Sequence, residues 1–324
     1  MAGIWLVTGG AGFIGSNLVR AILAKGRPVR VLDNFLTGFR ENLAEVLADI
    51  EFLEGDIRDL AACRRAAADA EVVFHQAAVP SVPRSMEDPQ TSFDVNLAGL
   101  HNMLTAAREA GARRFIFAAS SSAYGANEEL PKRETMALEP LSPYAAAKAA
   151  GELFAAMFHR AFGLPTVSLR YFNVFGPRQD PANPYAGVIA AFASRMLRGE
   201  RPILYGDGTQ SRDFTYVENV VRANLLAADA PEVHGEVVNI GCGEAVDLNA
   251  MVGVLNRLLG TALAPLYQPP RAGDVKHSLA DIAAARQLLG YRPTVRFEEG
   301  LRQTLGWYRW AIETGYGGWA KKQP

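Results

Sequence analysis

The chain has 324 residues, 49% of them hydrophobic and 21% charged, a balance that fits a folded globular protein and excludes a disordered or fibrous one. A formal net charge of -1 offers no general attraction to nucleic acid or to an anionic membrane surface. No apolar run approaches the roughly 20 residues needed to cross a bilayer, so a soluble, cytoplasmic protein is expected.

The first residues lack a basic region and run straight into a glycine-rich turn, so they are read as a strand and not as a signal peptide. Residues 4–8 read as that strand, 13–25 as a helix and 28–33 as the next strand. Short apolar runs at 50–54, 72–75, 115–119 and 167–171 follow, each rich in β-branched or aromatic side chains. Such strands are buried on both faces, as in a parallel sheet covered by helices. The fold class is therefore α/β, a doubly wound parallel sheet. Two long helices are expected at 89–110 and 143–162, the second rich in alanine, which favours helix and permits close packing. After Asn173, prolines and glycines interrupt the chain and loops dominate. A further buried strand is expected at 237–240, and closing helices at 281–289 and 297–310. Cys63 and Cys242 stand in unlike contexts with no metal-ligand spacing, so they read as buried thiols, and no metal site is expected.

Gly9, Gly12 and Gly15 fall at G-x-x-G-x-x-G spacing between the first strand and the first helix. The chemistry requires glycine there, because the turn is tight and the backbone must approach a pyrophosphate closely. The helix N-terminus adds free N–H groups and a positive dipole. Asp33 closes the second strand at the position that takes adenosine ribose hydroxyls. Its carboxylate would repel a 2′-phosphate, and the adjacent Asn34 is no arginine to welcome one, so NAD is favoured over NADP. Asp56 and Ile57, after the third strand, are candidates for the adenine edge, with a surface turn as the alternative.

Tyr144 and Lys148 lie four residues apart in an expected helix and so share a face. A phenol titrates near pH ~10, and lowering it to about 7 requires roughly 4 kcal/mol in favour of the anion. One cation about 4 Å away supplies around that amount at an effective dielectric of about 20, so an ammonium on the next helical turn, aided by the positive nicotinamide ring, is enough in size. Tyrosine and lysine at this spacing also occur by chance. What strengthens the pair is Ser120-Ser121-Ser122, which follows the strand at 115–119 and so lies at the sheet edge where open α/β folds bind ligands.

Thr8-Gly9-Gly10-Ala11-Gly12-Phe13-Ile14-Gly15, Ser120-Ser121-Ser122-Ala123-Tyr124-Gly125, Tyr144-x-x-x-Lys148 and Arg170-Tyr171-Phe172-Asn173 occur in that order. Together they resemble the extended short-chain dehydrogenase/reductases, and within them the nucleotide-sugar epimerases of the NAD-dependent epimerase/dehydratase family. The resemblance runs almost end to end. It implies a Rossmann-type NAD-binding domain over 1–172, with a returning strand near 236–246, and a smaller α/β nucleotide-sugar-binding domain over 173–235 and 247–324. It also implies a homodimer joined by a four-helix bundle of the helices near 89–110 and 143–162.

Position by position, the resemblance makes Ser120, Tyr144 and Lys148 the catalytic set, with Ser121 in reserve for Ser120. It adds Phe13, Ile14, Asn34, Gln76, Ala77, Ala78, Asn96 and Tyr171, with Tyr144 and Lys148, to the cofactor residues. On the substrate side it implies Asn173, Arg212 and Arg271 at a diphosphate. There the planar guanidinium fork suits bidentate contact. Asp274 is placed at a uridine ribose, and Pro80, Ser121, Ser122, Gln179, Gly187, Val188, Tyr205 and Ser278 around the sugar and nucleotide. The implied reaction is 4-epimerisation of a UDP-sugar through a transient 4-keto sugar. A dehydratase of this family carries Asp-Glu where this chain has Ser121-Ser122, which argues against dehydration. A decarboxylase is another reading of the same oxidation. Uronate epimerases tend to carry threonine at the position of Asn173. A non-catalytic NAD-binding sensor would be expected to lack Tyr144 or Lys148. The small Ser278 leaves room for a 2-acetamido group, so the glucose and N-acetylglucosamine series both remain open.

Overall fold

Short apolar strands with amphipathic stretches between them can bury both strand faces only in a layered α/β arrangement, and this is the one the chain adopts. The computed structural model describes residues 3–180, 187–270 and 275–316. In chain order, β1 (Ile4–Thr8) leads into α1 (Phe13–Ala24), β2 (Val29–Asp33), a 3-10 stretch at Arg40–Asp49 and β3 (Ile50–Glu54). Next come α2 (Leu60–Ala67), β4 (Ala70–His75), α3 (Val82–Glu87), α4 (Pro89–Phe93) and α5 (Gly99–Glu109). β5 (Arg114–Ser120), α6 (Pro143–Phe162) and β6 (Thr166–Tyr171) complete the first half. The second half begins with β7 (Val174–Phe175), α7 (Val188–Leu197), β8 (Ile203–Tyr205), β9 (Ser211–Arg212), β10 (Thr215–Tyr216) and α8 (Val217–Asp229). It continues with β11 (Glu236–Ile240), β12 (Val246–Asp247), α9 (Leu248–Leu259), β13 (Leu266–Gln268), α10 (Ala283–Leu289) and α11 (Phe297–Thr314).

Seven strands form one parallel sheet in the order β11-β6-β5-β4-β1-β2-β3. The order reverses between β1 and β4, which opens a crevice at their carboxyl ends, beyond the Thr8–His75 register pair. Alternate strand residues feed two apolar clusters. Trp5, Val7, Val31 and Phe74 pack with α1 and α8 on one face, while Leu6, Val73, Phe115 and Phe117 pack with α2 and α5 on the other. α8 thus covers the sheet beside α1, although it lies in the stretch expected to belong to the smaller domain. The returning strand is Glu236–Ile240, paired with β6. The expected continuation toward 246 leaves the sheet, and β12 pairs antiparallel with β9 instead.

The helix expected at 89–110 is broken by a π turn at Asp94–Ala98. Asn96 sits in that turn, and Gly99 follows where an added Cβ would come within 2.7 Å of the Ile57 side chain. Such turns reposition one side chain without ending a helix. α6 starts as its sequence requires, with Ser142 accepting from the Ala145 N–H, Pro143 in the first turn and Gly163 in the left-handed conformation at the far end. Its Gly151 permits close approach, since a Cβ there would lie 2.7 Å from Phe117. α10 begins at Ala283 because the Asp281 carboxylate accepts from that N–H, and α11 runs four residues past the expected end, to Thr314. In the rest of the second half, α7, α9 and α11 pack together beside the small pairs β7–β10, β8–β13 and β9–β12. Cys63 and Cys242 are free thiols, and burial pushes each up to about 12. Among the described residues no helix is long and apolar enough to cross a membrane.

Candidate active site

The glycine turn is as tight as its pattern requires. Gly9 has φ +70°, and a Cβ on it would lie 2.7 Å from the Ala77 backbone; one on Gly15 would lie 2.1 Å from the Gly9 carbonyl oxygen. A Cβ on Gly12 would meet only that same oxygen, at 3.2 Å, so any side chain there would project into the cleft. Gly12 also caps α1 without a side-chain bond, leaving the first N–H groups of the helix turned outward. These features fit a pyrophosphate drawn close to the backbone.

A cleft of about 650 Å³ opens over this turn. Among the expected cofactor residues, Gly9, Gly12, Phe13, Ile14, Gly15, Asp33, Asn34, Asp56, Ile57, Gln76, Ala77 and Ala78 line it. Asn96 and Tyr171 stand behind the lining. Asn96 Oδ1 accepts from the Val79 N–H at 2.9 Å, and the Tyr171 hydroxyl bonds Gln76 and Asn224. Asp33 accepts from the N–H groups of Ala11 and Phe35, each at 2.8 Å, and burial raises its pKa above the usual carboxylate value. Asn34 donates to Asp56 at 2.8 Å. Arg58 grips the same Asp56 carboxylate, lowering its pKa, and Arg40 pairs with Glu54. The arginines near the ribose end are thus already engaged by carboxylates. Arg84 and Arg178 also line the cleft, and the motif reading missed both because their neighbours form no phosphate signature.

At the end of β5, the Ser120 hydroxyl accepts from the Ser122 N–H at 3.2 Å and from the Ser122 hydroxyl at 2.9 Å. Ser120 also acts to lower the pKa of the Tyr144 phenol, in the first turn of α6, against the effect of burial. Ser121 and Ser122 open the 3-10 turn Ser121–Tyr124. The Lys148 ammonium donates to the Ala118 carbonyl at 2.7 Å and lies 5.9 Å from the Tyr144 ring centre. In the cofactor-free protein burial pushes the Tyr144 phenol above its ordinary value, only partly offset by Ser120. The same burial pushes Lys148 down to about 7. His75, held by Thr8 at 3.0 Å, is pushed down to about 3 by burial and then by Lys148, so it is neutral.

Of the expected substrate residues, Pro80, Gln179 and Gly187 line the same cleft. Val188 opens α7 beside Gly187, and Tyr205 ends β8. Asn173, at φ +35°, donates to the Asp213 carbonyl at 3.1 Å. Arg212 and Ser278 are brought together: the Ser278 N–H donates to Ser211 at 3.0 Å, and the Ser278 carbonyl accepts from the Asp213 N–H at 2.8 Å. Asp213 lies beneath this ladder, its carboxylate accepting from the N–H groups of Cys242, Gly243 and Ala280, and burial raises it to about 6. Val188, Tyr205, Arg212 and Ser278 do not themselves line the cleft, and Arg271 and Asp274 lie outside the described residues.

A family model for the NAD dependent epimerase/dehydratase family matches residues 5–241. The UDP-glucose 4-epimerase of Mycolicibacterium smegmatis is 39% identical over 94% of this chain and 98% of its own. A solved UDP-glucose 4-epimerase of Thermotoga maritima, with UDP-glucose, superposes with TM-score 0.90 at 41% identity, covering 95% of this chain and 99% of that one. A UDP-N-acetylglucosamine 4-epimerase of Methanobrevibacter ruminantium, in complex with UDP-N-acetylmuramic acid, gives 0.91 at 39% identity over 95% and 98%. With the glycine turn, the parallel sheet and the serine–tyrosine–lysine cluster in place, the chain belongs to the NAD-dependent epimerase/dehydratase family.

Proposed function

We propose that the protein is an NAD-dependent UDP-hexose 4-epimerase, acting on UDP-glucose and UDP-galactose, on their 2-acetamido counterparts, or on both. One observation carries the reading: Ser120 at the end of β5 and Lys148, bonded to the Ala118 carbonyl of that strand, stand with Tyr144 of α6 one strand away from β4, after which Gln76, Ala77 and Ala78 line the cleft built on the glycine turn. The epimerase relatives named above support it.

NAD supplies a reversible hydride acceptor for the sugar C4 hydrogen. The N-terminus of α1 and the Gly9–Gly15 turn hold its pyrophosphate, Asp33 and Asn34 its adenosine ribose, and Asp56 and Ile57 the adenine edge. Gln76, Ala77, Ala78, Asn96 and Tyr171 shape the wall toward the reacting end. Tyr144, as phenolate, takes the proton of the 4-hydroxyl. The Ser120 hydroxyl bridges phenol and substrate oxygen, and the Lys148 ammonium stabilises the phenolate. Asn173, Arg212 and Arg271 would tether the diphosphate while the 4-keto sugar turns over, and Tyr144 would return the proton to the C4 oxygen, with NAD, when bound, supplying the hydride for the opposite face. Asp274 holds the uridine ribose. Pro80, Ser121, Ser122, Gln179, Gly187, Val188 and Tyr205 surround the sugar and nucleotide, and Ser278 leaves space at C2.

The purified protein, given each of the four UDP-sugars without added NAD, should interconvert at least one pair of 4-epimers and release NAD on denaturation. No exchange with any of the four, from a protein that carries NAD, would overturn the reading. We further infer a two-domain organisation, with 173–235 and 247–324 binding the nucleotide-sugar, and a cytoplasmic homodimer. Exposed Met86, Phe93, Leu153 (72% exposed) and Phe162 on α3, α4 and α6 suit a helix–helix interface, which sizing in solution checks. Free thiols fit a reducing compartment.

A further inference from the structure

On the face that α6 turns to the sheet, one more polar side chain follows Tyr144 and Lys148: Glu152, a further turn along. Spacing of four sets Glu152 against Lys148, and the two are 3% and 2% exposed. A buried carboxylate must find a cation or a proton, so a lysine one turn away is its natural partner. Yet the two do not pair. Glu152 accepts from Arg170 through both oxygens, Oε1 from Nε at 2.7 Å and Oε2 from Nη2 at 2.6 Å. Lys148 donates to the Ala118 carbonyl.

Arg170 is well placed to hold that carboxylate. It sits on β6 opposite Ala119 of β5, 3% exposed, with its guanidinium over the Tyr124 ring at 4.7 Å. Tyr124 ends the serine turn and donates to Asn239 of β11 at 2.8 Å. The anchor of Glu152 is thus tied to the same turn that presents Ser120.

We propose that Arg170 is a positioning residue for the reaction: by occupying both oxygens of Glu152, it removes the one carboxylate that would draw the Lys148 ammonium away from Tyr144. The proposal rests on the reading of Tyr144 and Lys148 as the reacting pair. Among the described residues, the groups around the ammonium include no other carboxylate, and Glu134, the half-buried acid on the far side of Arg170, accepts from the Asn239 N–H. β4 presents neutral His75; β5 presents the Ala118 carbonyl, Phe117 and Ser120; and β6 presents Tyr171, pushed up to about 12 by burial, besides Arg170. α6 itself contributes Tyr144 and Glu152, and the serine turn contributes Tyr124, which burial holds neutral.

The test uses the NAD-loaded enzyme and reads the Tyr144 phenolate as the ultraviolet difference, over a pH series, between each protein and its Tyr144→Phe counterpart. In Arg170→Met the Glu152 carboxylate is left with Lys148 as its cation. The phenolate should then emerge at a pH about one unit or more higher, with turnover at neutral pH reduced about tenfold or more and KM for the UDP-sugar unchanged. The paired variant Glu152→Gln/Arg170→Met has no carboxylate to compete, so its phenolate should titrate with the wild type even where its Tm is lower. A single variant titrating with the wild type, Glu152 having simply taken a proton, would overturn the proposal. So would a paired variant that titrates with the single one. Should Arg170→Met not fold, the paired variant decides alone, because a displaced phenolate there refutes competition by Glu152. Full turnover in Tyr144→Phe would instead refute the functional reading, whatever Arg170 does.

Discussion

Replacing Lys148 by methionine should stabilise the cofactor-free protein while abolishing turnover. Lys148 is buried, and its ammonium titrates near 7 instead of near 10.5. At pH 7 and below, the folded state therefore carries a charge that the unfolded chain holds in water at lower free energy. A shift of about 3.5 units corresponds to about 5 kcal/mol. Methionine also forfeits the bond to the Ala118 carbonyl, worth about 1 to 1.5 kcal/mol. The expected net gain is about 3 to 4 kcal/mol at pH 7. Its pH dependence has a definite sign. Between about 7 and 10.5 the unfolded chain binds a proton that the folded one lacks, so wild-type stability rises with pH across that window. The advantage of Lys148→Met should therefore be full at pH 6, decline steadily above pH 7 and largely vanish near pH 10. Urea denaturation of both proteins at several pH values reads the difference directly. A methionine variant no more stable than wild type at pH 6, or a gap that does not move with pH, would show that Lys148 carries no buried charge.

Tyr144→Phe should fold, keep NAD and lose about 10²- to 10⁴-fold in turnover; more than a tenth of wild-type activity would remove Tyr144 as the base. Asp33→Ala should weaken the preference for NAD over NADP, because it removes the carboxylate that repels a 2′-phosphate; equal binding of both by the wild type would refute this role. On the proposed reading, in which Ser278 leaves space at C2, Ser278→Tyr should fill that space at a cost of roughly 1–3 kcal/mol. It should depress turnover of UDP-N-acetylglucosamine by about 5- to 150-fold while sparing UDP-glucose, and equal losses on both sugars would exclude Ser278 as the gate.

What could be read from the sequence was local. Apart from the edge strand β3, expected to be buried on both faces but half-buried or exposed throughout, the sheet strands are largely buried apolar runs, so Val72, Phe74, Phe115 and Val167 announce themselves without knowledge of their neighbours. Gly9 and Gly15 announce a turn because no side chain fits there, Gly12 because a side chain there would enter the cleft, and Tyr144 and Lys148 share a face by helical arithmetic. What stayed hidden depends on partners distant in the chain. Arg84 and Arg178 reach the cleft from different elements and share no pattern with the glycine turn. The π turn at Asp94–Ala98 goes with the bond from the Val79 N–H to Asn96 and the close approach of Gly99 to Ile57, which no periodicity records. α8 lies in a stretch expected to belong to the smaller domain, and only its packing beside α1 makes it part of the sheet layer.

The same division explains why the electrostatics of the reacting group departed from expectation. Pair arithmetic on Tyr144 and Lys148 treats the lysine as a fixed positive charge. Burial acts on both partners in opposite directions, raising the phenol and lowering the ammonium, so the cofactor-free site holds the two nearer neutrality than the pair alone would suggest. A second positive centre brought close would favour the phenolate, and the nicotinamide ring is such a centre when NAD is bound. On the proposed reading, with Tyr144 as the base, that base would be fully formed only with its hydride acceptor in place. Burial of Lys148 would then couple proton removal to cofactor occupancy, and a base that ionises only beside NAD would not act on substrate when no hydride acceptor is there to receive the hydrogen.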